Sequence, residues 1–236
     1  MNHNFICCFD METTGKNPRK CQLTQLSAII IEPRKLEIVD NGIFNSEIKP
    51  IFDNDAAIAA GYDPVEQEAL DVTHKTREQL EKAPSIETVW SDFVNFIQKY
   101  KKGNDKSNWA NPIRAGFNIV NFDNIIVDRM CSKYGPYDEK YGSQKLFHPL
   151  HNFDLLHDFW RLTDNDKINN NNSLSLDSIR DWLGMDRTGS HDALNDVIDC
   201  SELLIRMMKK YRKVYQETQF EGALADWKRP KLSVML

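Results

Sequence analysis

The sequence has no long apolar run, no basic leader and no excess of positive charge. None of its 236 residues lies in a stretch that approaches the ~18 consecutive apolar residues of a transmembrane helix. Its first ten residues lack the basic start and the apolar length of a signal peptide. The formal net charge is −5, which on its own does not indicate a nucleic-acid partner. These absences predict a cytoplasmic protein without membrane contact.

Paired cysteines are also missing. An odd number of cysteines, none of them spaced as C-x-x-C, argues against a disulfide framework or a zinc knuckle and favours a reducing compartment. Hydrophobic residues make up 41% of the chain, which is enough for a real core and for one sizeable domain. The five cysteines are Cys7, Cys8, Cys21, Cys131 and Cys200.

Strand patterns come first along the chain, and helical patterns follow. Apolar runs predict strands at 5–9, 22–32, 37–49 and 113–117, and the short 33–35 linker makes the second and third strands antiparallel neighbours. Helices are expected at 64–70, 85–101, 121–134, 153–162, 175–183 and 192–215, with loops at 102–112, 135–144 and 165–173. The pattern predicts one mixed α/β domain over 1–215 and a loosely structured tail over 216–236.

Two carboxylates stand at the end of the first strand. Side chains two residues apart in a strand point to the same side, so Asp10 and Glu12 are expected to face one way. Two like charges at the end of a buried strand are costly without a cation. The plain alternative is that both side chains end the strand in solvent.

Further acidic residues and a histidine occur at three later junctions. Asp123 falls in the first turn of a predicted helix, where the helix dipole favours a carboxylate without any function. His191 and Asp196 stand five residues apart at the entrance of the last helix, after a possible cap at 189–190. Asp154 is the weakest candidate of the set.

The combined inventory points to metal chemistry. Mg²⁺ and Mn²⁺ prefer oxygen ligands, and two such ions about 4 Å apart can stabilise the attacking and leaving oxygens of a displacement at phosphorus. A histidine with a near-neutral pKa is suited to take the proton of the attacking water.

The order of these motifs resembles that of a known family. Asp10-Met-Glu12-Thr-Thr-Gly15, Asn118 with Phe122-Asp123, and His191 with Asp196 are similar to the three motifs of DEDDh 3′→5′ exonucleases of the DnaQ-like superfamily. The resemblance covers roughly residues 4–210, and one departure is Phe117 where the family often has His. It implies an RNase H-like α/β fold: a mixed five-stranded sheet, its first three strands antiparallel, flanked by helices.

The resemblance also implies roles for individual residues. Asp10 would bridge two Mg²⁺ or Mn²⁺ ions, Glu12 and Asp196 would complete the shell of one ion, Asp123 would hold the second, and His191 would be the base. The implied reaction releases nucleoside 5′-monophosphates from the 3′ end of single-stranded or frayed nucleic acid, with DNA favoured. The implied substrate-binding residues are Met11, Thr13, Thr73, His74, Phe117 and Asn118.

Three alternatives stay open on the sequence. The substrate could be RNA, as in oligoribonuclease-like or RNase T-like relatives, because the metal site acts on the phosphate and the 2′-hydroxyl is read elsewhere. The domain could instead be a catalytically silent RNase H-like module that binds nucleic acid or a polymerase. An active enzyme could also serve a DNA polymerase in trans.

The net charge is unevenly distributed. Residues 206–231 carry eight Lys or Arg against three Asp or Glu, a net charge of +5, which leaves −10 on the rest of the chain. The basic segment could contact phosphates or could simply be a solvated helix face. Because part of the negative charge is the expected metal site, the sequence predicts weak and strongly metal-dependent substrate binding.

Overall fold

The computed structural model describes residues 4–103, 107–163, 174–185 and 191–218. Over these ranges strands and helices form one mixed α/β unit. The strands are β1 (Ile6–Thr13), β2 (Leu23–Glu32), β3 (Glu37–Glu47), β4 (Ile113–Gly116), β5 (Tyr137–Asp138), β6 (Ser143–Gln144) and β7 (Asn152–Asp154). The helices are α1 (Asn54–Ala59), α2 (Gln67–Val72), α3 (Arg77–Glu81), α4 (Ile86–Gln98), α5 (Asp123–Tyr134), α6 (Leu155–Thr163), α7 (Leu176–Leu183) and α8 (Ala193–Thr218).

Five strands form the central sheet in the order β3-β2-β1-β4-β7. The pairs β1–β2 and β2–β3 are antiparallel, whereas β1–β4 and β4–β7 are parallel. This confirms the expected mixed sheet with three antiparallel strands first. Because β1, β4 and β7 run the same way, their carboxyl ends meet at one edge, where ligands bind in open α/β sheets.

Two apolar layers cover the sheet. Alternation along β1 sends Phe9 to the layer formed by α4 and α5, with Trp90 and Phe93. The same alternation sends Cys8 to the opposite layer, where it packs with Leu203 of α8. β1 is therefore buried on both faces, as its unbroken apolar run predicts.

The structure corrects two expected strand boundaries. β1 does not end at Phe9 but continues to Thr13, since β2 stays paired with it as far as Leu23. The expected helix at 153–162 begins instead with β7, because Phe153 and Asp154 pair with β4 before α6 starts at Leu155.

Short elements account for the other differences. The expected loop at 135–144 contains the β5–β6 hairpin, the loop at 102–112 contains a 3₁₀ turn at Asn108–Ala110, and α1 and α3 were not predicted. Helices of five or six residues are too short to show a clear 3.6-residue period. The tail expected at 216–236 begins inside α8, which ends at Thr218. Positions 219–236, like the loop expected at 165–173, lie outside the described residues.

Two expectations from composition can be compared with the described residues. All five cysteines are unpaired and buried. No helix within the described ranges combines the length and the apolar character that a membrane crossing needs.

Candidate active site

Three carboxylates converge at the carboxyl end of β1. Asp10 and Glu12 project from β1 on the side that faces α8, and Asp196 lies in the first turn of α8. Each contributes one oxygen to a group whose members all lie within 4.8 Å of one another. The side-chain alternation expected for Asp10 and Glu12 is thus realised, and α8 adds the third carboxylate.

The start of α8 is fixed by Asp192. Its Oδ1 accepts the backbone N–H of Leu194 at 3.1 Å, which is the capping role that the sequence had placed at 189–190, outside the described residues. Its Oδ2 accepts from Gln25 Nε2 at 3.1 Å and from the buried Lys75 Nζ at 3.3 Å. These contacts tie the first turn of α8, and with it Asp196, to β2 and to the segment after α2.

Asp123 lies near this group at the start of α5. Its side chain is buried, and its Oδ1 has no hydrogen-bond partner among the residues that the structure describes. A buried carboxylate oxygen without a partner is expensive, because it has lost its water without replacing it. Burial, followed by the charges of Asp10 and Glu12, raises the pKa of Asp123 well above its usual value.

Burial and mutual repulsion dominate the electrostatics of the site. Burial, followed by the charge of Asp196, raises the pKa of Asp10 to about 7. Burial, followed by the charges of Asp10 and Asp196, raises the pKa of Glu12 to about 9, although Lys75 opposes the shift. The pKa of Asp196 is also raised by burial, against the lowering effect of Arg180. Such a group of carboxylates favours binding of either protons or a cation.

The donor set fits a hard divalent cation. The four carboxylates supply only oxygen ligands, the type that Mg²⁺ and Mn²⁺ prefer, and the described cluster contains neither cysteine nor the neutral nitrogen donors typical of zinc. The partnerless oxygen of Asp123 is a further position that a cation or its water would satisfy. The acidic cluster could therefore hold a metal.

A strained turn joins β4 to α5 beside the carboxylates. Asn118 has φ of 58°, a left-handed conformation that costs energy for a residue with a side chain. Asp154 holds the turn in place, since its carboxylate accepts the backbone N–H groups of Asn118 at 2.9 Å and Val120 at 3.0 Å. Asp154, the weakest acidic candidate of the sequence, therefore has a structural role, which is to hydrogen-bond the backbone of this turn.

A cleft of about 350 Å³ opens beside Asp10 and Asp123. Three of the expected substrate-binding residues line it, namely Met11, Phe117 and Asn118. The other lining residues are Phe122, Leu156, Leu174, Ser175 and Leu176. The cleft thus offers apolar walls next to a strongly acidic floor, a combination suited to a base and its phosphate when cations are present.

The remaining expected substrate-binding residues lie outside the lining of this cleft. The Thr13 hydroxyl donates to the carbonyl of Gly15 at 2.8 Å, and the buried Thr73 hydroxyl donates to the carbonyl of Ala69 at 3.0 Å. His74 is exposed and has φ of 54°. Thr73 and His74 directly precede Lys75, which places their segment beside Asp192 at the entrance of α8.

His191 lies at the same entrance, directly before Asp192. Its side chain is half exposed, its φ is 64°, and its Nε2 lies 3.7 Å from Asp177 Oδ2. A solvent-accessible imidazole beside an acidic cluster can accept a proton from a water molecule. Asp177 belongs to α7, so this contact connects α7 with the segment that precedes α8.

Sequence reasoning missed the most deeply buried charge of the site, Arg180. The residue is 1% exposed and its Nη2 donates to Asp196 Oδ1 at 2.7 Å. The sequence did carry a signal, because Arg180 occupies the helical face that also contains Leu176, Ile179 and Leu183. A charged residue on an apolar helix face requires a partner in the interior.

Residues 7–204 match the protein-family model for Exonuclease of the RNase T type. The chain belongs to the exonuclease family. The resemblance to DnaQ-like 3′→5′ exonucleases is thereby confirmed at the level of the family, while the histidine subtype stays a prediction. A comparison with curated protein sequences gives no significant match.

Solved structures show the same fold at low identity. E. coli Exonuclease I in complex with a dT13 oligonucleotide is 18% identical with a TM-score of 0.65, over 91% of this chain and 43% of that one. Cell-death related nuclease 4 is 13% identical with a TM-score of 0.61, over 88% and 64%. A full-length 3′-exonuclease is 16% identical with a TM-score of 0.60, over 89% and 84%.

These matches establish the RNase H-like fold of the exonuclease family for this chain. The chain spans less than half the length of Exonuclease I and about two thirds of the length of cell-death related nuclease 4. The exonuclease domain therefore accounts for most of this sequence but for only part of those proteins.

Proposed function

We propose that this protein is a metal-dependent 3′→5′ exonuclease that releases nucleoside 5′-monophosphates, with single-stranded DNA as the favoured substrate. The observation that carries the proposal is the convergence of Asp10, Glu12 and Asp196 within 4.8 Å of one another in a chain of the exonuclease family. Such a group has no obvious structural use, because three half-buried carboxylates in contact repel one another and destabilise the fold that brings them together.

The carboxylates are proposed to hold two Mg²⁺ or Mn²⁺ ions. Asp10, Glu12 and Asp196 would hold one ion, while Asp123 would hold the second together with Asp10. When bound, such ions supply charge stabilisation for the attacking and leaving oxygens at phosphorus. The partnerless buried Oδ1 of Asp123 supports its inclusion.

His191 is proposed to accept the proton of the attacking water. The water oxygen forms a bond to phosphorus, and the bond between phosphorus and the 3′ oxygen of the remaining strand breaks. That 3′ oxygen then takes up a proton. The products are a nucleoside 5′-monophosphate and a strand shortened by one nucleotide. The exposed imidazole and its contact with Asp177 support this assignment.

The cleft beside the carboxylates is proposed to bind the terminal nucleotide. Met11, Phe117 and Asn118 line this cleft, so that the base would pack on apolar side chains while the phosphate approaches the ions. Thr13, Thr73 and His74 would contribute from its margin. A preference for DNA is supported only by the likeness to Exonuclease I, whose structure holds a dT13 oligonucleotide. A polymerase partner in trans stays a prediction of the sequence.

The test uses strands of matched sequence: single-stranded DNA, duplex DNA and RNA, each labelled at the 5′ end, with Mg²⁺ or with EDTA. A ladder of products shortened one nucleotide at a time from the 3′ end is expected, with single-stranded DNA cut fastest. Asp10→Ala is expected to be inactive. Glu81→Ala, which removes only an exposed partner of Arg77, serves as the matched control.

The outcomes separate the alternatives. Faster cleavage of RNA than of single-stranded DNA would indicate an RNA exonuclease instead. Binding of the strands without cleavage in either metal would favour the silent module, and activity in Asp10→Ala equal to that of the wild type would contradict the proposed site.

A further inference from the structure

A single buried guanidinium connects three carboxylates behind the proposed metal site. Arg180 of α7 donates through Nη2 to Asp196 Oδ1 at 2.7 Å and through Nε to Asp199 Oδ2 at 2.7 Å. Its Nη1 donates to Asp177 Oδ1 at 2.9 Å. An arginine side chain is planar and presents its donors in a fixed fork, so two of these bonds determine the direction of the third.

The two outer bonds anchor the fork to both helices. Asp177 lies one turn before Arg180 on α7, and Asp199 lies one turn after Asp196 on α8. The guanidinium is therefore held from both sides before it reaches Asp196. An ion pair with Asp199 alone would be enough to join α7 to α8. The additional bond to Asp196 connects Arg180 to the acidic cluster.

The same fork reaches the histidine. Asp177 Oδ1 accepts from Arg180, and the second oxygen of that carboxylate, Oδ2, lies 3.7 Å from His191 Nε2. The guanidinium of Arg180 thus binds both Asp196, a proposed metal ligand, and Asp177, the acidic neighbour of His191. Since a carboxylate offers about four lone-pair sites, the bond to Asp196 Oδ1 leaves capacity for a metal ion.

We infer that Arg180 is a positioning residue: it orients Asp196 toward the metal ions and Asp177 toward His191. The inference rests on the proposed function, because it assigns Arg180 a role in that same site. Arg180 touches neither substrate nor reacting atoms and acts through its partners. Residues that orient metal ligands in this way typically change metal affinity or activity by about 10- to 100-fold when they are replaced.

The test measures Mn²⁺ binding directly by isothermal titration calorimetry, without substrate, alongside kcat on single-stranded DNA. Arg180→Lys keeps the positive charge but loses the fork, and it is expected to weaken Mn²⁺ binding about 10- to 100-fold and to lower kcat. Arg161→Lys, which alters an exposed pair with Asp158, is the matched control and is expected to change neither.

Asp177→Asn separates the two branches of the fork. The asparagine keeps an oxygen that accepts from Arg180 Nη1, so the anchor on α7 and the bond between Arg180 and Asp196 remain, but the negative charge beside His191 is removed. We therefore expect kcat to fall while the Mn²⁺ affinity stays close to that of the wild type. Arg180→Lys should therefore lower both the Mn²⁺ affinity and kcat, whereas Asp177→Asn should lower kcat alone. An arginine with a purely structural role would not produce this difference.

Asp199→Ala, which removes the oxygen that accepts from Arg180 Nε, keeps the inference falsifiable if Arg180→Lys does not fold. This variant leaves Arg180 in place and loosens only its anchor on α8, so Mn²⁺ binding is expected to weaken by several-fold. Folded variants with a lower melting temperature but with the Mn²⁺ affinity and kcat of the wild type would overturn the inference. Failure of the wild-type protein to bind Mn²⁺ would instead overturn the proposed metal site, before any variant is compared.

Discussion

Asp154 Oδ1 accepts the backbone N–H of Asn118 at 2.9 Å, across 36 positions of sequence. The bond joins the end of β7 to the left-handed turn after β4 and so shapes one wall of the cleft. Replacing Asp154 by Ala is expected to lower the free energy of unfolding by at least about 2 kcal/mol, because hydrogen bonds to a charged group contribute about 1.5–3 kcal/mol each.

Urea unfolding at pH 7 measures this loss. Asp158→Asn is the control, since Asp158 pairs with the exposed Arg161 and such pairs contribute about 0–1 kcal/mol. A similar unfolding midpoint for both variants would contradict the anchoring role of Asp154.

Asp10→Asn is expected to have opposite effects on function and on stability. The substitution keeps the shape of the side chain but removes the central charge of the cluster, so Mg²⁺-dependent cleavage should be lost. In EDTA at pH 8 the variant should melt at a higher temperature than the wild type, because the negative charge of Asp10, which burial and the charge of Asp196 make unfavourable, is no longer present. Thermal melts with EDTA and with Mg²⁺ check both statements, and a variant less stable than the wild type in EDTA would contradict them.

The stability of the protein in EDTA should decrease as the pH rises. Asp10 and Glu12 have pKa values of about 7 and about 9 in the folded chain, above those of the unfolded chain, which are near 3.9 and 4.3. The folded state therefore binds more protons over this window, and the stabilisation present below about pH 4 is lost as the pH rises through 7 and 9.

Urea midpoints in EDTA at pH 6 and pH 9 measure this trend. The difference between the two midpoints should shrink in the double variant Asp10→Asn, Glu12→Gln. Added Mg²⁺ should reverse the trend for the wild type, because metal binding requires deprotonated carboxylates. Equal pH dependence in the wild type and the double variant would refute the assigned pKa shifts.

His191→Ala is expected to slow the chemical step without affecting the fold. A general base contributes about 10²- to 10⁴-fold to the rate, and the half-exposed His191 buries little surface. Single-turnover rates at neutral pH should fall by that factor while the melting temperature and the Mn²⁺ affinity stay unchanged. His157→Ala is the control and should keep the wild-type rate, because this exposed histidine of α6 lies outside the lining of the cleft. A near-normal rate for His191→Ala would exclude His191 as the base.

Gly116→Ala should disturb the end of β4 more than Gly15→Ala disturbs the turn after β1. A Cβ at position 116 would lie 2.7 Å from the backbone oxygen of Phe9 and 2.5 Å from Cγ2 of Ile119, neither of which can move away easily. A Cβ at position 15 would meet only the end of the flexible Glu66 side chain, at 2.7 Å. We expect a loss of about 1–3 kcal/mol for Gly116→Ala and a smaller loss for Gly15→Ala, measured by urea unfolding. The reverse order would contradict this account of the junction.

Features that depend on nearest neighbours in the chain could be predicted from the sequence. The apolar run before Asp10 indicates a buried strand, and alternation places Glu12 on the same side as Asp10. The spacing of Trp90, Phe93 and Ile97 indicates a helix, and Ser85 caps it in the structure, where its side chain accepts from the backbone N–H of Thr88. Periods of two and 3.6 residues are local properties, so they can be recognised without knowledge of the fold.

Features that depend on contacts across the chain could not be predicted in this way. The end of β1 was placed at Phe9 because Asp10 and Glu12 are polar, whereas pairing with β2 carries the strand to Thr13. The strand at Asn152–Asp154 exists because β4 lies beside it, and its three residues show no period of their own.

The sequence, with the family resemblance that its motifs carry, determined the mixed sheet, the order of the acidic motifs and the places of Asp123 and Asp196 in the first turns of their helices. Only the tertiary structure decided that Asp196 meets Asp10 within one cluster, that Asp154 holds the Asn118 turn, and that Arg180 lies buried between α7 and α8. The reason is physical. Charge interactions and hydrogen bonds depend on distance and burial, and both are set by how the helices pack on the sheet rather than by the spacing of residues along the chain.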